Sequence, residues 1–325
     1  MNAVTRRRLI SAAALLPFAT TSAKAQGDYP NRTIRIVVGF AAGGGNDIFA
    51  RLIGAKLSEL IGQSVIIENK PGAGARLAND YVARESADGY TLLVAASGGM
   101  SIASAIYPNL KYHPTKSFVP LTMIANFPLI LAIPANHPAK TVAELVAWMK
   151  ANPDKSNYAT SSPAFTIATE LFKLKTGAPS QAIPYKSSGE SLVAVMGGQT
   201  LLTIADGPPT VPLVKSGQVR ALAVTGSERS SELPDVPSMA EVGYPEVNTG
   251  LWSGVFVRAG TPEPIVKKLE ETLRRAVADP GVNAKLKAMA VTPGGGPSAE
   301  FRAMIDADIK TVSDVVKAAN LEFPE

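Results

Sequence analysis

Gly43, Gly44 and Gly45 follow the apolar, β-branched run 33–40 and precede a helix-period pattern from Ile48 to Leu60. A strand that breaks into glycines and restarts as a helix exposes backbone N–H groups at the positive end of a helix dipole, which suits an anion. No lysine follows the glycines, so the phosphate-loop pattern GxxxxGK[ST] is absent and a carboxylate is expected rather than a nucleoside triphosphate. A second small-residue loop, Ala96-Ser97-Gly98-Gly99, follows the strand-like run 90–95, and Thr160, Ser161 and Ser162 lie in a polar loop. Asp206 ends the apolar run 201–205 and precedes Gly207-Pro208-Pro209; it reads either as an acceptor for a ligand hydroxyl or amine or as a turn residue. Asp47 and Asn46 suit the cap of the helix at Ile48, and Asp47 fits a cap better than a contact, because a carboxylate beside a bound carboxylate is repulsive.

Those residues need elements to hold them. Strand-like runs at 33–40, 64–68 and 90–95 alternate with helix-period runs at 47–61 and 78–85, where Phe49, Leu52, Ile53, Leu57 and Leu60 form one stripe. Such alternation predicts parallel βαβ units with ligands beyond the carboxyl ends of the strands. A long, nearly uncharged run follows at 119–134. Thr141 with Glu144 reads as a capping box for a helix over 142–150. Helical patterns are also expected at 166–174, 190–196 and from 210, with strands at 201–205 and 219–225. The end of the chain reads as helical: Pro262 suits a first turn, Pro280-Gly281 breaks the pattern, and Ser298 caps a last helix with Phe301, Ile305, Ile309, Val312 and Val316 facing inward.

Arg6-Arg7-Arg8, the short apolar run 9–19 and Ala23-Lys24-Ala25 form a secretory leader, residues 1–25, with a periplasmic product expected. The arginines also fit a twin-arginine signal as well as an ordinary basic start. The whole chain carries +5; residues 1–25 hold four of its cations and no acid, so the remainder carries +1 and gives no case for nucleic-acid binding. The absence of cysteine removes thiolate chemistry, iron–sulfur clusters and cysteine zinc sites. Only His113 and His137 are present, with no metal-ligand spacing, no G-x-S-x-G elbow and no evident general base. An enzyme is therefore not expected, nor a metal or other cofactor.

The ordered set Tyr29-Pro30, Ala42-Gly-Gly-Gly-Asn-Asp47, Glu68-Asn-Lys-Pro-Gly-Ala-Gly74, Asp88-Gly-Tyr-Thr-Leu-Leu93, Pro184-Tyr-Lys186, Leu233-Pro-Asp-Val-Pro237 and Ala259-Gly-Thr-Pro262 closely resembles the Bug-type extracytoplasmic receptors of tripartite tricarboxylate transporters. The resemblance covers nearly all of the chain after the leader. It implies an α/β, two-lobed, type II periplasmic-binding-protein fold (a Venus flytrap), each lobe a mostly parallel sheet flanked by helices. Lobe one is expected at 26–124 and 226–325 and lobe two at 125–225, with crossings near Leu129 and along 219–225. It further implies a monomer that captures a small organic carboxylate and delivers it to membrane permease subunits; signalling to a membrane sensor is the alternative. Phe40, Gly43, Gly44 and Asp47 match the family's first loop, where Ala41 and Ala42 replace prolines. Tyr185, Lys186, Ser187, Ser188 and Asp206 match the second-lobe contact positions, and Asn46 completes the first loop; Ser97 and Gly98, in a loop that lacks the family's His and Asn, and Thr160, Ser161 and Ser162, in a loop shorter than the family's, are further candidate contacts. Arg76 stands where a small amide is usual, adding a fixed positive charge. Each also has a plain reading: Ser97 and Thr160–Ser162 as loop residues, Lys186 as a solvated surface lysine, Trp252 as core.

Overall fold

The computed structural model describes residues 29–226 and 228–318; the expected leader, residues 1–25, lies outside them. The chain begins with β1 (Ile34–Val38), α1 (Gly45–Ile61), β2 (Val65–Asn69), α2 (Arg76–Arg84), β3 (Thr91–Ala96) and α3 (Ser101–Ile106). β1 pairs in parallel with β2 and β3. These are the expected parallel units. α1 starts two residues before the apolar pattern predicts, because Gly45 joins the helix instead of the loop, and it stops where Gly62 takes a left-handed φ and returns its N–H to Ser58.

A long strand, β4 (Phe118–Pro134), then carries the chain out of this sheet. Residues 118–128 pair with β9 (Gly250–Arg258), which lies antiparallel between β3 and β4. From Leu129 onward β4 pairs instead with β7 (Leu202–Asp206) and β8 (Val219–Val224) in a second sheet. That sheet also holds β5 (Asn157–Thr160) and β6 (Gln181–Pro184), with β7, β5 and β6 parallel. Each sheet is thus mixed: parallel βαβ units at the outside, antiparallel crossing strands at the inside. The reason is geometric. A chain that leaves one lobe and returns must run its two crossings in opposite senses.

The crossings are fastened at one point. Leu129 N–H donates to Thr225 Oγ1 at 2.8 Å, Thr225 N–H returns a bond to Leu129 O at 2.8 Å, and the Thr225 hydroxyl donates to Thr249 O at 2.9 Å.

Around the second sheet lie α4 (Val142–Ala151), α5 (Pro163–Thr176), α6 (Ser188–Met196) and α7 (Gly207–Lys215). The Thr141 side chain caps α4 through Glu144 N–H, as the capping box requires. α5 starts three residues earlier than its apolar pattern because Ser162 caps it and Pro163 occupies its first turn. The chain ends with α8 (Glu263–Ala278), α9 (Pro280–Lys287), the short β10 (Thr292–Pro293) on β4, and α10 (Ser298–Ala318). Pro280 ends one helix and opens the next, since it can occupy a first turn but not an interior. α10 returns to the first lobe, burying Phe301 and Ile305 in an aromatic cluster with Trp252, Phe256, Phe118 and Tyr112. Trp252 is core here, and its indole N–H donates to Asp308 at 3.0 Å. Among the described residues, no helix is long and apolar enough to cross a membrane.

Candidate functional site

The loops that follow β1 and β3 in the first lobe face those that follow β5, β6 and β7 in the second. In the first loop, Asp47 sets the geometry. Its carboxylate accepts from Gly43 N–H at 3.0 Å and Asn69 Nδ2 at 3.0 Å and pairs with Arg51 at 2.9 Å. Asn69 Nδ2 also donates to Phe40 O at 2.9 Å, which ties the end of β1 to β2. Burial alone would raise the Asp47 carboxyl, but the bonds from Arg51, Gly43 and Asn69 outweigh it and hold it below the ordinary carboxylate range. Asn46 Oδ1 accepts from the buried Ser253 hydroxyl at 2.6 Å. Asn46 and Asp47 are thus committed within the first lobe.

The loop meets the second lobe directly. Ala41 N–H donates to Lys186 O at 3.2 Å. Gly189, in the first turn of α6, sits so close that a Cβ there would lie 2.6 Å from Gly43 O. A Cβ on Gly45 would lie 1.8 Å from Asp206 Oδ2. The first residue of α1 therefore has a carboxyl from the other lobe against it. Asp206 is 3 % exposed. Burial pushes its carboxyl up to about 6, while hydrogen bonds from the Ser188 hydroxyl, its own N–H and Gly45 N–H hold it back.

Among the described residues, three buried oxygens at the carboxyl ends of strands have no hydrogen-bond partner: Ser97 Oγ after β3, Ser161 Oγ after β5 and Asp206 Oδ1 at the end of β7. Buried polar groups are nearly always satisfied, so unpartnered oxygens at the ends of strands in both lobes mark a place built for something else. Neighbouring hydroxyls are consumed. Thr160 Oγ1 bonds the Thr166 hydroxyl at 2.9 Å, and Ser162 and Ser187 cap α5 and α6. Ser97 and Gly98 are buried under the start of α5, where a Cβ on Gly98 would lie 3.1 Å from Ala164 Cβ.

A cavity of about 290 Å³ opens at this boundary, lined from lobe one by Gly39, Phe40 and residues 72–75 and from lobe two by Ser161, Pro184, Tyr185, Lys186 and Glu190. Phe40, Ser161 and Lys186 are the sequence-expected residues that line it. Ala42 and Gly43 form the exposed loop tip. Arg76 is placed elsewhere: its guanidinium stacks 3.7 Å over the Tyr107 ring and lines a separate cavity of about 240 Å³. The helix α2 begins at Arg76, and its Nε donates back to Ala73 O, which turns the side chain to the outer face.

Sequence reasoning passed over residues 72–75, where Ala73 and Ala75 hold positive φ values of 48° and 75°. Left-handed alanines are strained and cluster at functional places; the Gly72-Ala-Gly74 spacing was the available signal. Ser188, which the family resemblance places among the second-lobe contacts, bonds the Asp206 carboxyl. Neither His113 nor His137 lines the cavity, and among the described residues no cluster of three potential metal ligands exists. A larger groove of about 870 Å³ behind the crossings, lined by Pro128, Thr249, Trp252 and Asp308 among others, contains none of the sequence-expected contact residues.

The profile of the tripartite tricarboxylate transporter family receptor (TctC) matches residues 49–321. Protein BugT of Bordetella pertussis is 33 % identical over 292 residues, covering 89 % of this chain and 90 % of that protein. The structure of Rpa4515 from R. palustris with adipate is 34 % identical and superposes with a TM-score of 0.85 over 91 % of this chain and 99 % of that one. MatC (Rpa3494) from Rhodopseudomonas palustris with bound malate is 32 % identical, with a TM-score of 0.84 over 89 % of this chain and 100 % of that one. The architecture is that of two-lobed periplasmic binding proteins, in agreement with the fold class expected from the sequence.

Proposed function

The chain belongs to the tripartite tricarboxylate transporter receptor family, and on that premise we propose that it captures a small organic carboxylate between its lobes in the periplasm and delivers it to the membrane subunits of a tripartite transporter. Export by a cleaved leader at 1–25 precedes this role. Lobe one comprises 26–124 and 226–325 and lobe two 125–225, with β4 and β8 as the crossings. The observation that carries the reading is the set of unpartnered oxygens at the carboxyl ends of strands in both lobes: Ser97 Oγ, Ser161 Oγ, which lines the interlobe cavity, and Asp206 Oδ1, whose carboxyl meets the first residue of α1. Hydroxyls and main-chain N–H groups suit a carboxylate, and Asp206 suits a hydroxyl or amine on the same guest. Phe40 lines one wall of the interlobe cavity and Ser161 and Lys186 the other; Ala41, Ala42, Gly43, Gly44, Asn46, Ser97, Gly98, Thr160, Ser162, Ser187 and Asp206 are the remaining proposed contacts on the loops around it, and Arg76 stays outside it. The family of the chain and the carboxylates bound by Rpa4515 and MatC support the guest's class. Contacts to both lobes favour the closed state over the open one, which is how binding becomes a shape that a permease can read.

Calorimetry with malate, adipate and a monocarboxylate tests this. At least one should bind and raise the Tm; silence from all three at about 1 mM, far above typical micromolar affinity, overturns it. A Gly189→Ala variant separates closure from folding. Alanine suits a helix better than glycine by roughly 0.5–1 kcal/mol, so the second lobe should stay folded with the lobes apart. Its Cβ nonetheless wedges against Gly43 O. Affinity should fall about tenfold or more as the closed fraction drops.

A further inference from the structure

Asp206 presents a carboxyl of one lobe to the first turn of a helix in the other. It is fully enclosed, with Oδ2 at Gly45 and Oδ1 without a partner. We infer that closure of the lobes is a proton-linked step, in which Asp206 takes up a proton as it seats against α1. This rests on the reading of the interlobe face as the guest's site, and it adds a control on that site.

Asp206 has different surroundings in the open and the closed protein. With the lobes apart, the end of β7 meets water and the carboxyl ionises like any other. With the lobes together, water is excluded and the charge must be held by what remains. That is the Ser188 hydroxyl, its own N–H and the Gly45 N–H at the positive end of α1, and these do not outweigh burial. No cation helps. On α1 the ionisable neighbour is Asp47, an acid already paired with Arg51. On α6 it is Glu190, another acid, which accepts from Lys186 N–H at 3.0 Å. From α9 and the turn after it, what meets the start of α7 is main chain, Met289 O and the Ala290 methyl. β4 offers apolar Leu129 and Ile130 beside the end of β7. An ionised Asp206 would also stand beside an incoming carboxylate with like charge. A proton on Asp206 removes both penalties and turns its free oxygen into a donor toward the guest.

Closure should therefore strengthen as pH falls from 7 toward 5. The ligand-free protein tests this without any guest. The chain lacks cysteine, so spin labels can be placed through Ala55→Cys on α1 and Val193→Cys on the exposed face of α6, and the distance between them read from pH 4.5 to 8. The closed-to-open ratio is expected to rise on the order of tenfold or more between pH 7.5 and 5, and to be flat with pH in Asp206→Asn. Ser188→Ala, which removes a bond to the ionised form, should move the midpoint to higher pH. A flat wild-type profile overturns the inference, as does a profile that persists in Asp206→Asn. Should Asp206→Asn misfold, an unmoved midpoint in Ser188→Ala overturns it instead. Failure of every carboxylate to bind would sink the proposed function and leave this titration standing; a flat titration with malate bound would do the reverse.

Discussion

Asp47 and Asp206 meet at the same end of α1, one from within the helix and one from the opposite lobe, and both are 3 % exposed. Their carboxyls are nevertheless driven in opposite directions. Asp47 is held down by Arg51, Gly43 N–H and Asn69; Asp206 is pushed up to about 6 by burial that Ser188 and Gly45 do not offset. Desolvation raises both, more strongly at the deeper Asp206, and the partners offset it only at Asp47. Asp47 has a bond to each oxygen and a cation. Asp206 has one oxygen unsatisfied and no cation. A buried acid with a complete set of partners is architecture, and one with an incomplete set waits for something.

The contrast yields three measurements of decreasing size. Asp47→Ala should cost about 2 kcal/mol in urea unfolding, because Gly43 N–H and the half-buried Asn69 lose the acceptor that joins the first loop to β2. Arg51 is half exposed, so the ion pair itself contributes little of this. A loss under about 0.5 kcal/mol would erase the distinction.

Asp206→Asn should act in the opposite sense, raising stability at pH 7 by about 1–2 kcal/mol. A carboxyl whose value is higher in the folded protein than in the unfolded chain binds more protons when folded. Its penalty is therefore absent below the ordinary carboxylate range and complete above about 6. The gain from the substitution should accordingly vanish by about pH 4. The Asp47 contribution runs the other way: present above the ordinary carboxylate range and lost as pH falls through its depressed value.

The smallest effect sharpens the same rule for hydroxyls. Ser187 Oγ accepts from Glu190 N–H at 3.2 Å, so Ser187→Ala should cost about 1 kcal/mol. Ser161 Oγ holds nothing, so Ser161→Ala should change stability by less than about 0.5 kcal/mol while weakening carboxylate binding. Equal costs for the two serines would show that both hydroxyls serve the fold.

Much of the fold was legible because its signals are local. β1 and α1 follow from 33–40 and the stripe Phe49, Ile53, Leu57, all fully buried. Thr141 with Glu144 marked α4, and Ser298 marked the start of α10. The strand β9 was passed over: its run 250–258 is interrupted by Gly254, and its role is to fill the space between β3 and β4, which no local pattern announces. β6 is four mostly exposed residues and carries no apolar alternation. Of the candidate contacts, Arg76 points out to Tyr107, because a side chain's direction depends on which face of α2 the lobe covers.

Residue order alone is enough for the strand–glycine–helix units and the capping pairs, since these depend on periodicity and on hydrogen bonds a few residues long; the two-lobed architecture was legible only through the family resemblance. Folding in three dimensions decides the rest: that β4 belongs to two sheets, that Asp206 lands on Gly45, and that Ser97 and Ser161 keep unpartnered hydroxyls while Ser162 and Ser187 do not. Satisfaction of a polar group is a property of everything packed around it. It exists only once distant segments have met and water has been excluded.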